Sequence, residues 1–216
     1  MFEPSALFAL CQDLAFELGR SFGRSKRREG LIDRLSAQLG CEVLDLTVDG
    51  AGLDAYLRSQ RVQALARRAE AVVLVAPPLL RQSNPFYRVQ RLQNHRLLTT
   101  TGALETLYPD RDDVSLVFAE TLMERLVEAD PGKAEAILDA LGDTWVIQMG
   151  ALVLKLSSPV HLLIPQAIDE VDLQDRVNAL RPILASTISL RMGIDKVCEM
   201  LAAWVAPGFE WKKADP

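Results

Sequence analysis

Carboxylates are missing from residues 71–104, although Asp and Glu outnumber Lys and Arg over the 216-residue chain, 29 to 24. If the protein holds an anionic ligand, this acid-free stretch is where it is expected, because nothing nearby in sequence repels it. Histidine and cysteine are scarce as well: His95 and His161, and Cys11, Cys41 and Cys198. No zinc-binding spacing can be assembled from them, so no metal is expected. An odd, widely spaced cysteine set argues against a disulfide framework and points to a reducing, cytoplasmic setting.

Long apolar runs are absent too. The best, residues 71–80 and 145–156, are broken by Pro, Gly or polar side chains and fall short of the ~18 residues that span a bilayer. Glu3, Asp13 and Glu17 interrupt the first apolar residues, and no cationic segment precedes them, unlike a signal peptide. A soluble protein without a membrane partner is expected. Several catalytic signatures are missing. No G-x-G-x-x-G follows a strand-like run, no G-x-S-x-G surrounds Ser157 and Ser158, and Asp110, Asp112 and Asp113 lack the glycine and terminal Glu of a calcium loop. No cofactor is expected.

What is present suits a globular chain: 49% apolar and 25% charged residues. Charge is divided unevenly. Residues 1–100 carry 14 Lys and Arg against 10 Asp and Glu, a net of +4, and residues 101–216 carry 10 against 19, a net of −9. Such polarity fits an anionic ligand on the first half, or two halves that attract each other.

Local patterning predicts an α/β protein. Leu7, Leu10, Cys11, Leu14 and Leu18 recur at helical spacing over residues 5–18, and residues 31–39 also read as a helix. Residues 41–48 alternate as a strand, residues 53–68 return to helical spacing, and residues 71–76 form a β-branched run typical of a strand covered on both faces. This helix–strand–helix–strand order over residues 1–104 predicts a small parallel-sheet, three-layer domain, with a third strand at 97–101. Residues 114–130 read as a helix, and Asp130 with Pro131 starts another that Gly142 is expected to close. Residues 145–165 read as a short β-hairpin or, over 149–156, as a buried helix. Leu173, Val177 and Leu180 share a helical face, and Pro182 is expected to start a helix reaching Met192. The division expected is an α/β domain at 1–110 and a mainly helical, acidic half at 111–216, packed as one unit.

Two stretches resemble known families. GRSFGRSK, residues 19–26, followed by helix, strand, helix and strand, resembles the opening of a P-loop nucleotide-binding core over residues 15–104. Ser25 stands where that motif has its second glycine, Arg27 stands where it has a hydroxyl, and the strand at 71–78 ends without an acid for magnesium. The resemblance implies at most a P-loop-like fold without the ATPase chemistry. Arg88 and His95 resemble the R-x(4–6)-H motif of HEPN-type ribonucleases, which implies His95 as acid or base and Arg88 steadying phosphate charge.

After Pro85 the spacing predicts a basic helix. At about 100° per residue, Arg88, Arg91 and His95 share one arc, with Asn84 as its cap. Arg81, Asn84, Tyr87, Arg88, Arg91, His95 and Arg96 are the candidate ligand-binding residues, with Tyr87 placed for stacking and Arg88, Arg91 and His95 as candidate catalytic groups. Ile194, Val197, Leu201 and Trp204 form an apolar stripe suited to a core or to a partner. With no complete catalytic motif, the leading expectation is a non-catalytic binding or assembly protein with a basic face for an anionic ligand or acidic partner. Its partners would be another subunit, a second copy, a nucleic acid or a phosphate-bearing ligand. The alternatives are a phosphodiester- or nucleotide-acting enzyme and a sequence-nonspecific nucleic-acid-binding module.

Overall fold

The computed structural model describes residues 6–10, 33, 36–37, 42–46, 48, 51–109, 118–164, 170–189 and 199. Within them run the strands β1 (Ala6–Leu10), β2 (Glu42–Asp45), β3 (Ala71–Val75), β4 (Tyr87–Gln90), β5 (Gln93–Thr100), β6 (Val160–Ile164) and β7 (Ser186–Ser189). The helices are α1 (Leu53–Arg58), α2 (Gln60–Ala66), α3 (Gly102–Leu107), α4 (Ala119–Ala129), α5 (Pro131–Leu156) and α6 (Glu170–Leu180), followed by a 3-10 turn at Arg181–Ile183. The protein is α/β, with a mainly helical second half.

Five strands form one sheet in the order β2-β1-β3-β6-β7, and every neighbouring pair is parallel. Every residue of β3 and β6 is buried, as parallel strands covered on both faces require. Val72 and Leu74 pair in register with Val160 and Leu162, so these alternate positions share a face. That face packs against Tyr56, Trp145, Met149, Leu152, Val177 and Leu180.

A second core lies between β3 and β6 in the chain. The antiparallel hairpin β4–β5 supplies Tyr87 and Val89, α3 supplies Leu104, and α4 supplies Leu122 and Leu126. Helix α5 joins the two cores: Ile137 and Leu141 enter the second, while Trp145, Met149 and Leu152 enter the first. Its 26 residues extend about 39 Å. They are long and apolar enough to cross a membrane by length and composition. Part of that apolar content enters the two cores, while Ile147 and Leu154 are exposed.

The start of α5 follows the sequence expectation. Asp130 Oδ1 accepts from the Lys133 amide at 3.1 Å, and Pro131 occupies the first turn. Its end does not. Gly142 lies inside the helix, which runs on to Leu156 and stops at Ser157 in the left-handed region, φ 62°. The glycine is explained by α6. The Arg176 guanidinium lies where a Cβ at position 142 would fall, and it bridges Asp139 at 3.3 Å and Asp143 at 3.2 Å.

Other expectations are corrected. Residues 6–10 are the strand β1, not part of a helix; ALFAL is apolar throughout, and such a short run satisfies either period. The 145–165 hairpin is absent, since 131–156 is one helix and only β6 is extended. Pro182 lies in a 3-10 turn, after which the chain enters β7 rather than a helix. Strands β6 and β7 come from the second half, so the sheet crosses the boundary expected at residue 110. The GRSFGRSK segment, the three cysteines and the stripe of Ile194, Val197, Leu201 and Trp204 lie outside the described residues.

Candidate functional site

In an open parallel sheet, ligands bind beyond the carboxyl ends of the strands, where the chain order reverses. Here that place is the end of β1, because β2 adds on one side and β3 on the other. The switch point lies between β1 and β3, flanked by the segment that follows β3 and by the one after β1, which is outside the described residues; the segment after β2 lies at the same edge, across β1.

The segment after β3 is polar and buried. Gln82 is 2% exposed, Asn84 2% and Ser83 8%, and no carboxylate lies among them. Their hydrogen bonds fix an irregular path. Asn84 Oδ1 accepts from the amides of Phe86 (2.8 Å) and Tyr87 (3.0 Å), and its Nδ2 donates to Gln82 O at 3.0 Å. Ser83 Oγ accepts from the Val89 amide at 3.2 Å. On the other side, Trp145 Nε1 donates to Pro77 O (2.9 Å), Gln82 Nε2 to Leu141 O (3.0 Å) and Gln148 Nε2 to Ser83 O (2.9 Å). The loop is thereby locked between α5 and the hairpin.

The hairpin turn reaches back over the switch point. The Gly52 amide, at the start of α1, donates to Arg91 O at 3.1 Å, and Asn94 Nδ2 donates to Arg81 O at 3.0 Å. A Cβ built on Gly52 would lie 3.4 Å from Asn94 Cβ and 3.5 Å from Arg81 O. Gly52, Arg81, Arg91 and Asn94 are thus gathered from three segments at the carboxyl edge. Asn94 is 1% exposed, and its Oδ1 accepts no hydrogen bond among the described residues.

The residues singled out in the sequence are distributed differently from a helical arc. Residues 87–90 and 93–100 form a hairpin, with Tyr87 and Val89 inward and Arg88 outward. Asn84 organises the entry to this hairpin instead of capping a helix. Tyr87 is fully buried, its hydroxyl donates to Leu80 O at 2.8 Å, and burial raises its pKa, so its ring is not free to stack on a ligand. His95 is half-buried against Phe118, ring centroids 5.8 Å apart. The all-helical setting that the HEPN resemblance implies is not met around Arg88 and His95. Arg81 Nε bonds Glu120 Oε1 at 2.9 Å, a base of the first half paired with an acid of the second. Arg96 reaches Gln93 Oε1 at 3.2 Å. Arg88 and Arg91 are exposed and enter no ion pair among the described residues.

Sequence reasoning did not single out Gly52, Gln82, Asn94 or Gln148. Their convergence depends on strand order, and the one local hint is that Asn94 and Gln82 fall in the acid-free stretch. An open groove of about 680 Å³, lined by Asp139, Asp143, Ile147, Asp175 and Arg176, lies elsewhere, between α5 and α6. Its arginine is already held by two carboxylates, so the groove is poorly suited to an anion. Among the described residues no cluster of His, Cys, Asp or Glu has a metal-binding arrangement.

A family model described as a domain of unknown function, DUF6473, matches residues 20–205. The chain belongs to that family. No curated protein matches it.

Proposed function

We propose that this DUF6473 chain is a non-catalytic binding protein that holds a small anionic, phosphate- or carboxylate-bearing ligand at the carboxyl edge of its parallel sheet, beneath the hairpin turn. One observation carries the reading. The hydrogen bonds from Gly52 to Arg91 O and from Asn94 to Arg81 O bring two arginines from an acid-free segment to the point where strand order reverses. Arg91, exposed and without a carboxylate partner among the described residues, supplies the available charge. Arg81 is shared with Glu120. A cytoplasmic location accords with the odd cysteine set.

Thermal-shift titration with inorganic phosphate, ribose 5-phosphate and malate tests this. At least one anion raises the melting temperature, with an apparent affinity that falls as salt is added. Arg91→Ala weakens that ligand by about tenfold or more, within the range of about 1.5–3 kcal/mol for hydrogen bonds to charged groups. No shift with any anion, or an unchanged affinity in Arg91→Ala, contradicts the reading.

A second reading rests on the hairpin's outer surface, where Arg88 and Arg96 are exposed beside Leu92 and Leu98, 53% and 67% exposed. Such a surface suits an acidic partner subunit or a nucleic-acid strand contacted through its phosphates. Under this reading a single-stranded oligonucleotide is retained at low salt, and retention drops in the double variant Arg88→Ala, Arg96→Ala. No retention at low salt removes the nucleic-acid version.

A further inference from the structure

We infer that Asn94 reads a hydrogen-bond donor on the ligand, so that the carboxyl-edge site takes an anion bearing a hydroxyl or amino group close to its charge and not a bare anion. The inference rests on the anion-binding reading above and adds the ligand's second chemical feature.

The orientation of the Asn94 amide follows from its surroundings. Its NH2 end lies 3.0 Å from Arg81 O, an acceptor. Turning the amide over would set two carbonyl oxygens against each other, so the oxygen must occupy the other end. That oxygen is buried and accepts no hydrogen bond among the described residues, in a side chain only 1% exposed. A buried acceptor left without a donor costs about 1–3 kcal/mol, and such groups in a native fold call for an explanation by water, ion or ligand.

Position distinguishes Asn94 from the two comparable amides. Gln82 and Gln148 also have buried Oε1 atoms without donors, but their NH2 groups tie the loop to α5 through Leu141 O and Ser83 O. Asn94 instead packs on Gly52, the residue whose amide holds the turn at Arg91. A ligand drawn by Arg91 that reaches Asn94 displaces this packing contact and leaves the Gly52–Arg91 hydrogen bond in place. One small region then offers a cation and an amide acceptor. The acceptor has no favourable role toward a fully ionised phosphate monoester or a dicarboxylate alone, whereas a hydroxyl or amine beside the charge satisfies it.

The test uses two pairs of probes and the full chain: malate against succinate, which differ by one hydroxyl at equal charge, and ribose 5-phosphate against methyl phosphate at about pH 8, where neither phosphoryl group keeps a proton. Affinities come from calorimetric titration of the wild type and of Asn94→Ala, with the similarly sized Asn94→Leu, which has no acceptor, in its place if the alanine variant does not fold. The expected result is at least a tenfold preference for the hydroxylated member of one pair, falling to threefold or less in the variant, while the unhydroxylated member binds both proteins within about threefold. Equal affinities within both pairs overturn the inference yet leave anion binding intact. A preference that survives in the Asn94 variant also overturns it. Failure of all four probes to bind removes the anion-binding reading and this inference together.

Discussion

Trp145→Ala is expected to lower the stability of the fold by about 3–5 kcal/mol, the usual range for truncating a fully buried large aromatic side chain. Trp145 is 0% exposed and packs in the first core near Met149 and Leu152, one turn after Leu141 leaves the second core. Its indole also donates to Pro77 O at 2.9 Å, which fixes the loop leaving β3. The substitution therefore opens a cavity where α5 passes between the cores and leaves a carbonyl without its donor. Small domains are stable by about 5–15 kcal/mol, so this one change removes a large share of the total. Trp145→Phe keeps most of the volume and isolates the hydrogen bond, with an expected loss of about 1–2 kcal/mol. Urea denaturation of the three proteins measures both effects. A loss below 1 kcal/mol for the alanine variant would contradict the placement of α5.

The second large effect is acid sensitivity from His161. The side chain is fully buried in β6, and its Nδ1 lies 2.8 Å from Ser186 Oγ on the neighbouring strand β7. Burial pushes its pKa down from 6.5 to about 4, because the charged imidazolium cannot be hydrated there. The unfolded chain therefore binds a proton at higher pH than the folded one. The stabilisation is complete above about pH 6.5, declines as the pH falls toward 4, and changes no further below that. The difference corresponds to about 3 kcal/mol, an order-of-magnitude figure. Carboxylates titrate at the lower end of the same range, so the expected observable is the difference between wild type and His161→Gln. The wild type should lose about 3 kcal/mol more than the variant between pH 7 and pH 4. Parallel stability–pH curves would show that His161 is not held neutral by burial.

The parts of the fold that were legible are those where one local pattern dominated. Residues 71–76 are nearly all β-branched or apolar and became β3, and Asp130-Pro131 carried its own start signal for α5. Residues 86–98 were ambiguous for a physical reason. Arg88, Arg91 and His95 fit a helical arc, while Tyr87 and Val89 fit period two equally well. The choice is made by the Asn84 and Ser83 hydrogen bonds and by burial of Tyr87 in the second core. Gly142 read as a helix end because glycine usually is one. Its real cause is the Arg176 side chain arriving from α6, more than thirty residues away.

The candidate site was half legible. Its acid-free character and its arginines were plain in the sequence, and the backbone carbonyls of Arg81 and Arg91 accept the bonds from Asn94 and Gly52. Gly52 and Asn94 were not legible, since they meet only because β2 and β3 add to opposite sides of β1 and the hairpin folds back over that point. No local spacing encodes that contact.

The most direct test of the carboxyl-edge site is amide chemical-shift mapping by NMR during titration with ribose 5-phosphate, or with malate if that binds more tightly. The largest changes are expected to cluster at Gly52, Leu53, residues 81–84 and residues 91–95, and to shrink in Arg91→Ala. Changes centred on Asp139, Asp143 and Arg176 in the α5–α6 groove, or on the outer hairpin residues Arg88 and Arg96 with Gly52 unmoved, would contradict it.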